Sequence, residues 1–314
     1  MVGAARVLAL GGMTACGKSG LALSLARVLG GEILAADSAQ VYRGMDIGTD
    51  KPDAAARRAV PHRLIDICDP TAPFSVAVYQ GLADAAIGAC GAAGRVPILV
   101  GGTGLYLRQV LRGTALPPAS PQPDLRASLA TLPPATLYAE LCAVDPLAAR
   151  AIHPHNVRRI IRALEIHRTT GRPPSSYWTA PAPRHPHLLV VLDRPAEILR
   201  RRIAERVERM LAGGLVGEVR HLLAAGVAPD APALQALGYR QVVDHLRAGG
   251  PAADLAQQIS GATWAYARRQ RTWFRREPDA VWIDLGEGPA DAALPQVLAR
   301  WRGTGSGETP AGGA

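Results

Sequence analysis

The sequence predicts an α/β protein with a parallel-sheet core and a helical insertion. Short apolar segments alternate with helical patterns over the first 116 residues, which is typical of parallel sheets covered by helices. A glycine-rich loop joins the first strand to the first helix, and a proline-rich break at 116–123 precedes a long helical run. With 314 residues and 48% hydrophobic content, the chain can form a large single domain or two domains.

The first part of the chain contains four predicted strands and three predicted helices. Apolar segments predict strands at 5–10, 32–36, 63–67 and 96–100. Helical periodicity predicts helices at about 19–29, at 75–93 and from Leu105 onward. Each of these helices follows a strand or a loop that leads back toward the sheet, as the parallel arrangement requires.

The remainder of the chain begins with a segment that looks helical from about 124 to 170 and stops at a Gly-Arg-Pro-Pro sequence. A strand is predicted at 188–192, followed by a long arginine-rich helix that ends near Gly213. We therefore predict a core, a helical insertion and a flexible tail. Their expected bounds are 1–116 with 187–302 for the core, 117–186 for the insertion and 303–314 for the tail.

Composition argues against several classes of protein. No run of about 18 apolar residues occurs, so no membrane span is expected. The apolar stretch Val7 to Leu10 is too short for a signal peptide and leads straight into the glycine-rich loop, so we interpret it as a buried strand. The four cysteines are scattered without a C-x-x-C pair, which favours a reducing cytoplasm over a disulfide scaffold or a zinc site.

The basic residues are unevenly distributed. The formal net charge is +9, and residues 150–209 alone carry 13 arginines against 5 acidic residues. A shorter cluster at 268–276 alternates arginines with aromatic residues. Such clusters suit phosphate contact and base stacking in RNA binding, but a solvated helix face gives the same pattern. The charge alone leaves both interpretations open.

Residues 12–19 fit the phosphate-loop pattern G-x-x-x-x-G-K-[ST], between a predicted strand and a predicted helix. The backbone N–H groups of such a loop curl around phosphate oxygens, the lysine reaches the terminal phosphates, and the hydroxyl binds Mg²⁺. The core is therefore expected to be P-loop NTPase-like, with Mg²⁺ as cofactor held at Ser19. The predicted diphosphate- or nucleotide-binding residues are Gly12, Met13, Thr14, Ala15, Cys16, Gly17, Lys18 and Ser19.

The loop does not by itself indicate nucleotide hydrolysis. The sequence has no D-x-x-G and N-K-x-D pair of the GTPase kind. The strand at 96–100 ends in Gly-Gly-Thr, where a nucleotide hydrolase would have a Mg²⁺-binding carboxylate. Mg²⁺ and the charge of the leaving group are therefore expected to be managed differently from a standard ATPase.

Two further segments follow predicted strands at their carboxyl ends, where open α/β sheets bind ligands. One is Asp37-Ser38-Ala39-Gln40-Val41-Tyr42, and the other is Gly101-Gly102-Thr103-Gly104-Leu105-Tyr106. Taken alone, Asp37 is typical of a helix N-cap and Thr103 of a turn.

Together with the phosphate loop, these segments closely resemble the tRNA dimethylallyltransferase family, also called tRNA isopentenyltransferases. The resemblance covers about residues 6–285. Its further motifs are G-M-D-I-G-T-D-K-P, P-H-R-L-I-D, H-P-H-N-V-R-R-I-I-R-A-L-E, L-G-Y-R-Q and R-R-Q-R-T-W-F-R. The chain departs from the family at Met13, usually proline, and at Cys16, usually serine or glycine. Neither change removes a side chain with a proposed role.

The resemblance implies transfer of a dimethylallyl group from its diphosphate to the exocyclic amine of the adenosine 3′-adjacent to the anticodon. The phosphate loop then holds a leaving diphosphate, while Lys18, Mg²⁺ and Thr103 stabilise the charge that develops on it. Asp37 is the expected base that accepts the amine proton. Arg206 is expected to reach the diphosphate, although a surface arginine on a basic helix remains an equal alternative.

The resemblance also implies contacts with the anticodon stem-loop, from which the target base must leave its stack. Lys51 is expected to be a loop residue, with a phosphate contact left open. We expect a monomer whose partners are tRNA and dimethylallyl diphosphate. The predicted tRNA-binding residues are Asp37, Ser38, Ala39, Gln40, Thr103, Arg126, Arg158, Arg159, Ile160, Ile161, Arg162, Gln235, Gly238, Tyr239, Arg240, Arg268, Arg269, Gln270, Arg271, Trp273 and Arg275.

Three alternatives remain at this stage. An adenylate isopentenyltransferase would act on AMP, ADP or ATP, but a mononucleotide needs neither the insertion nor the 268–275 cluster. A P-loop small-molecule kinase would make the Asp37 and Thr103 segments incidental. An RNA-binding protein with a nucleotide switch would need switch motifs that the sequence lacks.

Overall fold

The computed structural model describes residues 5–113, 116–119, 121–178 and 183–303. The chain divides into two compact units, one formed by Met1–Leu111 with Arg184–Ala314 and the other by Arg112–Pro183. The second unit starts five residues before the expected insertion and ends three residues before its expected end. All but the first residue of the expected tail, 303–314, lies outside the described residues.

The first unit contains a six-stranded parallel sheet with the order β3-β2-β4-β1-β5-β6. This confirms the predicted α/β class. The strands are β1 (Val7–Gly12), β2 (Glu32–Ala35), β3 (His62–Arg63), β4 (Pro97–Val100), β5 (His187–Asp193) and β6 (Val281–Asp284). The first three residues of β4 and all of β1 are buried, because helices cover both faces of a parallel sheet.

Strand β3 is shorter than the strand predicted at 63–67. Leu64 and Asp66 have φ values of 66° and 59°, which lie in the left-handed region and end the extended conformation. Apolar composition predicted a longer strand because it does not reveal such a backbone reversal. No strand is predicted from the sequence at β6.

Four helices follow the strands of the first part of the chain: α1 (Lys18–Leu29), α2 (Ala54–Ala59), α3 (Val76–Ala92) and α4 (Gly104–Leu111). The first unit continues with α9 (Ala196–Ala212), α10 (Leu215–Ala224), α11 (Tyr239–Ala248), α12 (Ala252–Phe274) and α13 (Leu294–Gly303). The strand register brings Leu10 of β1 opposite Val100 and Val190. The carboxyl ends of neighbouring strands therefore meet at one edge of the sheet, where their loops can form a site.

The second unit is helical. The run that was predicted to be helical from about 124 to 170 forms four helices: α5 (Pro123–Ala130), α6 (Pro134–Val144), α7 (Pro146–Ala151) and α8 (Val157–Thr170). Proline stands in the first turn of α5, α6 and α7, because it lacks the N–H that an interior helical residue must donate. Leu129, Leu141 and Leu164 are completely buried and belong to a separate hydrophobic core of this unit. In the described part of the chain, we find no helix with the length and apolarity required to cross a membrane.

The carboxylate of Glu165 is an ionic centre inside this helical unit. Arg126 donates two hydrogen bonds to it (2.9 Å each) and Arg162 one (2.5 Å), and the backbone N–H of Gln122 donates another at 2.7 Å. The Glu165 side chain is completely buried. Burial alone would raise its pKa, but the hydrogen bonds from the two arginines outweigh burial and lower the pKa below the ordinary value.

We expect Glu165→Gln to lower the free energy of unfolding by about 1–3 kcal/mol at pH 7. The pKa of Glu165 is lower in the folded state, so its contribution is present above the unfolded pKa of about 4.3 and is lost as pH falls through the folded pKa. Urea titrations followed by circular dichroism should therefore show a difference at pH 7 that shrinks in acid. Glu140→Gln, in a partly exposed pair with Arg168 of the same unit, is the control and should cost under about 1 kcal/mol. Equal losses at pH 7 would contradict the prediction.

Candidate active site

The phosphate loop lies between β1 and α1 and has three left-handed residues. Gly12, Ala15 and Gly17 have φ values of 138°, 62° and 108°. A Cβ atom at Gly12 would lie 2.5 Å from the carbonyl oxygen of Leu192 in β5, so only glycine fits there. Left-handed residues in such a loop let successive backbone N–H groups converge on one anion, as a phosphate cradle requires.

Lys18 folds back over the loop. Its Nζ donates to the carbonyl oxygens of Gly12 (3.0 Å) and Met13 (2.7 Å), and lies 3.8 Å from the buried Cys16 Sγ. Lys18 and Ser19 both line the same cavity. The predicted point charge and hydroxyl are therefore positioned together at the loop.

Arginines of α9 approach the loop from another side. Arg206 Nη1 donates to Thr14 Oγ1 at 3.1 Å and lies 3.4 Å from the Asp50 carboxylate, while Arg202 Nε donates to the Ala15 carbonyl at 2.8 Å. The structure therefore places the predicted Arg206 at the phosphate loop. Sequence reasoning missed Arg202, although its i,i+4 spacing from Arg206 puts both residues on one helix face.

Asp37 lies just beyond β2 and lines the cavity. Its Oδ1 accepts the backbone N–H groups of Ala39 (2.9 Å) and Gln40 (3.3 Å). Residues 38–41 form a turn rather than a helix, so Asp37 caps a turn and is not the helix N-cap that its residue type suggested. The backbone N–H of Ser38 donates to Thr103 Oγ1 at 3.1 Å. The two loops that the sequence placed at neighbouring strand ends are thus in direct contact.

Two side chains of α12 complete this region. Gln270 accepts the backbone N–H of Thr14 and donates to the Gly102 carbonyl, both at 2.8 Å, so it joins the phosphate loop to the Thr103 loop. Tyr266 lines the cavity beside Gln270. Burial, followed by the nearby Asp37 charge, raises the pKa of Tyr266 to about 12, so its hydroxyl stays protonated at neutral pH. The sequence indicated Tyr266 only as one of the aromatic residues in a basic cluster, and not as a cavity residue.

One cavity of about 460 Å³ is lined by the phosphate loop, by Arg202 and Arg206 of α9, by Asp37, and by Tyr266 and Gln270 of α12. Its cationic side chains include Lys18, Arg202 and Arg206. Its apolar wall includes Leu23, Ile33, Ala35, Ile65 and Val100. A cationic region beside an apolar wall suits a ligand with an anionic group joined to a short hydrocarbon.

The loop after Tyr42 forms another wall of the cavity and is held by two charged residues. Lys51 is 1% exposed and donates to the Tyr42 carbonyl (2.7 Å) and to carboxylate oxygens of Asp46 (2.7 Å) and Asp66 (2.6 Å). Glu218 of α10 accepts the backbone N–H groups of residues 46–48. Lys51 is therefore a loop residue that holds the loop in place, which agrees with the expectation from the sequence.

The structure divides the predicted tRNA-binding residues into two groups. The side chains of Ile160 and Tyr239 are completely buried and present no surface to tRNA, which corrects the expectation for these two residues. Gln270 is also buried but lines the cavity, so its tRNA contact stays a prediction. Tyr239 donates to Glu218, and Gly238 at the start of α11 is also buried. Arg271 donates to Asp193 and to the Arg194 carbonyl (2.5 and 2.6 Å), and Trp273 is half-buried beneath Arg108.

The other group remains accessible. On the first unit the exposed residues are Gln235, Arg240, Arg268, Arg269 and Arg275. On α8 of the second unit Arg158 and Arg159 are exposed and Ile161 is half-buried, while Arg126 and Arg162 are engaged with Glu165. The tRNA contacts of these accessible residues, and of Asp37, Ser38, Ala39, Gln40 and Thr103, stay predictions.

The residues around the cavity are compatible with Mg²⁺, but they supply few ligands. Ser19, whose hydroxyl is the predicted ligand, lines the cavity. Among the residues that the structure describes, no group of three or more His, Cys, Asp or Glu side chains is arranged to hold a metal ion. Mg²⁺ commonly keeps several waters and binds through substrate phosphates, so a diphosphate would have to provide the remaining ligands.

The fold and the loops define a class: an α/β protein of P-loop type whose cavity suits a diphosphate and a short hydrocarbon. The model of the IPP transferase family matches residues 40–277. The chain is 50% identical to the tRNA dimethylallyltransferase of Thermomicrobium roseum over 89% of this chain and 86% of that protein. It is 47% identical to that of Roseiflexus sp. (strain RS-1), over 91% and 94%.

Solved structures agree with these relatives. The full-length tRNA isopentenylpyrophosphate transferase of Bacillus halodurans has a TM-score of 0.72 and 36% identity, covering 95% of this chain and 96% of that one. A eukaryotic dimethylallyltransferase acting on tRNA has a TM-score of 0.77 and 25% identity, covering 95% and 77%. The chain belongs to the IPP transferase family, which confirms the family that its motifs predicted.

Proposed function

We propose that the protein is a prenyltransferase that moves a dimethylallyl group from dimethylallyl diphosphate to the exocyclic amine of the adenosine 3′-adjacent to the anticodon of tRNA, releasing diphosphate. The observation that carries this proposal is the shared cavity, in which Lys18, Arg206 and Asp37 meet beside an apolar wall. Relatives that match nearly the whole chain are named tRNA dimethylallyltransferases, which favours tRNA over a free adenine nucleotide.

The diphosphate is assigned to the phosphate loop, because the loop, Lys18 and Arg206 present hydrogen-bond donors and positive charge on one side of the cavity. As the bond between carbon and the bridging oxygen breaks, the electron pair leaves with the diphosphate. Lys18 and Arg206 stabilise that negative charge, together with the Thr103 hydroxyl. Ser19 would hold Mg²⁺ together with the diphosphate, and the ion would supply further charge neutralisation there.

The adenine amine attacks the same carbon and must lose one proton. Asp37 is the base in this proposal, because it lines the cavity and Oδ1 already accepts two backbone N–H groups. The proton is therefore assigned to Oδ2. A base is needed because the lone pair of an aromatic amine is delocalised and the nitrogen becomes acidic only as the new bond forms.

The exposed arginines of α12 and α8 are assigned to tRNA phosphates, which bind arginine and lysine without regard to sequence. The kinase alternative finds no support, since the matching relatives are transferases of another kind. The proposal includes action as a monomer in the cytoplasm, where unmodified tRNA is available.

The test is incubation with labelled dimethylallyl diphosphate, Mg²⁺ and either unmodified tRNA or AMP. Label is expected in tRNA and not in AMP, with no consumption of ATP in a parallel reaction. Digestion of the tRNA to nucleosides then locates the label on one adenosine. Label in AMP alone would favour the adenylate transferase, and ATP consumption without prenyl transfer would favour the kinase.

We expect Arg269→Ala to weaken tRNA binding and to make the dependence of log K on log salt shallower by about one unit, because one phosphate contact is lost. Arg269 is exposed on α12. Filter-binding titrations from 50 to 200 mM salt (roughly the range in which phosphate contacts dominate) measure the slope. The control is Arg27→Ala, also exposed but on α1, which should leave the slope unchanged. An unchanged slope for Arg269→Ala would remove this contact.

A further inference from the structure

A buried arginine contacts the phosphate loop and is not among the residues that line the cavity. Arg194 follows β5 and is 1% exposed. Its Nε donates to the Cys16 carbonyl and its Nη1 to the Gly286 carbonyl, both at 2.8 Å. The loop carbonyl before this one, that of Ala15, accepts from Arg202. Two consecutive loop carbonyls are thus held by two different guanidinium groups.

The position of the Cys16 carbonyl determines where the next N–H points. The C=O and N–H of a trans peptide point in opposite directions, and the described residues contain no cis peptide bond. Because Arg194 holds the Cys16 oxygen, the N–H of Gly17 is directed away from Arg194. Gly17 lines the cavity, and its φ of 108° permits this orientation.

Burial of a cation is costly unless its environment compensates for lost hydration. In the described part of the chain, the hydrogen bonds from the Arg194 side chain go to backbone carbonyls, and it takes part in no ion pair. The Asp284 carboxylate attracts this guanidinium without forming an ion pair with it, so part of its positive charge remains available to attract an anion in the adjacent loop. An anionic ligand in the loop therefore explains a buried arginine at this position better than packing alone does.

We propose that Arg194 is a positioning residue for the diphosphate, which orients the Gly17 N–H toward the ligand by holding the Cys16 carbonyl and adds positive charge behind the loop. The inference rests on the proposed function only for the identity of the ligand. Arg194 itself does not touch the ligand, so its effect is expected on binding of the anion rather than on the proton transfer at Asp37.

The experiment measures binding of inorganic pyrophosphate, with Mg²⁺, by isothermal titration calorimetry to the full chain. Arg194→Met should raise the dissociation constant about tenfold or more, because charge and orientation are lost together. Arg194→Lys should recover part of this loss, since an ammonium keeps the charge but not the two-carbonyl fork. The matched control is Arg6→Met, which removes another arginine that donates to a backbone carbonyl, that of Trp301 (2.7 Å), away from the loop.

Thermal melts accompany each titration and separate folding from binding. Arg6→Met should lower the melting temperature without changing pyrophosphate affinity, whereas Arg194→Met should change the affinity of the fraction that remains folded. In prenyl-transfer assays, the KM for the diphosphate donor should rise with little change in kcat or in tRNA affinity. Wild-type pyrophosphate affinity in folded Arg194→Met would overturn this inference, even if prenyl transfer by the wild type is observed. Absence of prenyl transfer in the wild type would instead contradict the proposed function.

Discussion

Asp37→Asn should lower the rate of prenyl transfer by about 10²–10⁴-fold, the usual contribution of a positioned general base. Asparagine retains a carbonyl oxygen that can accept the backbone N–H groups of Ala39 and Gln40, so the loop geometry is expected to persist. The amide has no basic oxygen to take the amine proton. Single-turnover assays with saturating tRNA and donor measure this step without interference from product release.

The matched control is Asp53→Asn. Asp53 also lines the cavity, and it caps α2 by accepting the Ala56 N–H at 2.7 Å. Because asparagine is an equally good cap, this variant should retain nearly full activity. Binding of tRNA should be close to wild type in both variants. Near-normal turnover by Asp37→Asn would remove Asp37 as the base, and the proton would need another acceptor.

Lys18→Arg should lower kcat/KM by about 10²–10³-fold, a loss as large as that from removing one donor of an anion-stabilising site. Lys18 Nζ contacts two loop carbonyls within 3.0 Å, a position reached by a compact ammonium on a flexible stem. The planar guanidinium is wider and needs a fork of acceptors. Charge alone is therefore not expected to rescue the reaction.

Lys18→Met provides the comparison, because it removes the charge while keeping an unbranched side chain. Both variants should be severely impaired, and neither should change tRNA affinity, which depends on arginines elsewhere. Pyrophosphate titrations show whether the loss begins with binding of the anion. An arginine variant with more than half of the wild-type kcat/KM would show that charge, rather than the compact ammonium, is what the loop requires.

The fold class and the centre of the site could be predicted because their signals are local. Eight consecutive residues specify the phosphate loop, and strand–helix alternation specifies a parallel sheet. Asp37 and Thr103 follow neighbouring strands, so sheet geometry alone brings their loops together. The two lysines among 35 basic residues also have distinct local environments, Lys18 at the loop and the buried side chain of Lys51 paired with the more accessible carboxylates of Asp46 and Asp66.

The basic surface was harder to predict, because a charge pattern does not reveal which arginines are already engaged. Arg126 and Arg162 both form ion pairs with the buried Glu165, and Arg271 donates a hydrogen bond to Asp193 at the end of β5. Their partners stand 3–78 residues away in the sequence. Partners that are far apart in the sequence produce no periodic pattern. Composition therefore predicts that these arginines are surface charges.

The sequence by itself determined the parallel-sheet core, the phosphate loop and the candidate catalytic groups, since each depends on neighbouring residues or on strand order. Only the tertiary structure decided which side chains support those groups. Gln270 reaches the loop from 256 residues away and Arg194 from 178 residues away. Hydrogen bonds of this kind form only after helices and strands have packed, because packing alone sets the distance and direction between distant donors and acceptors.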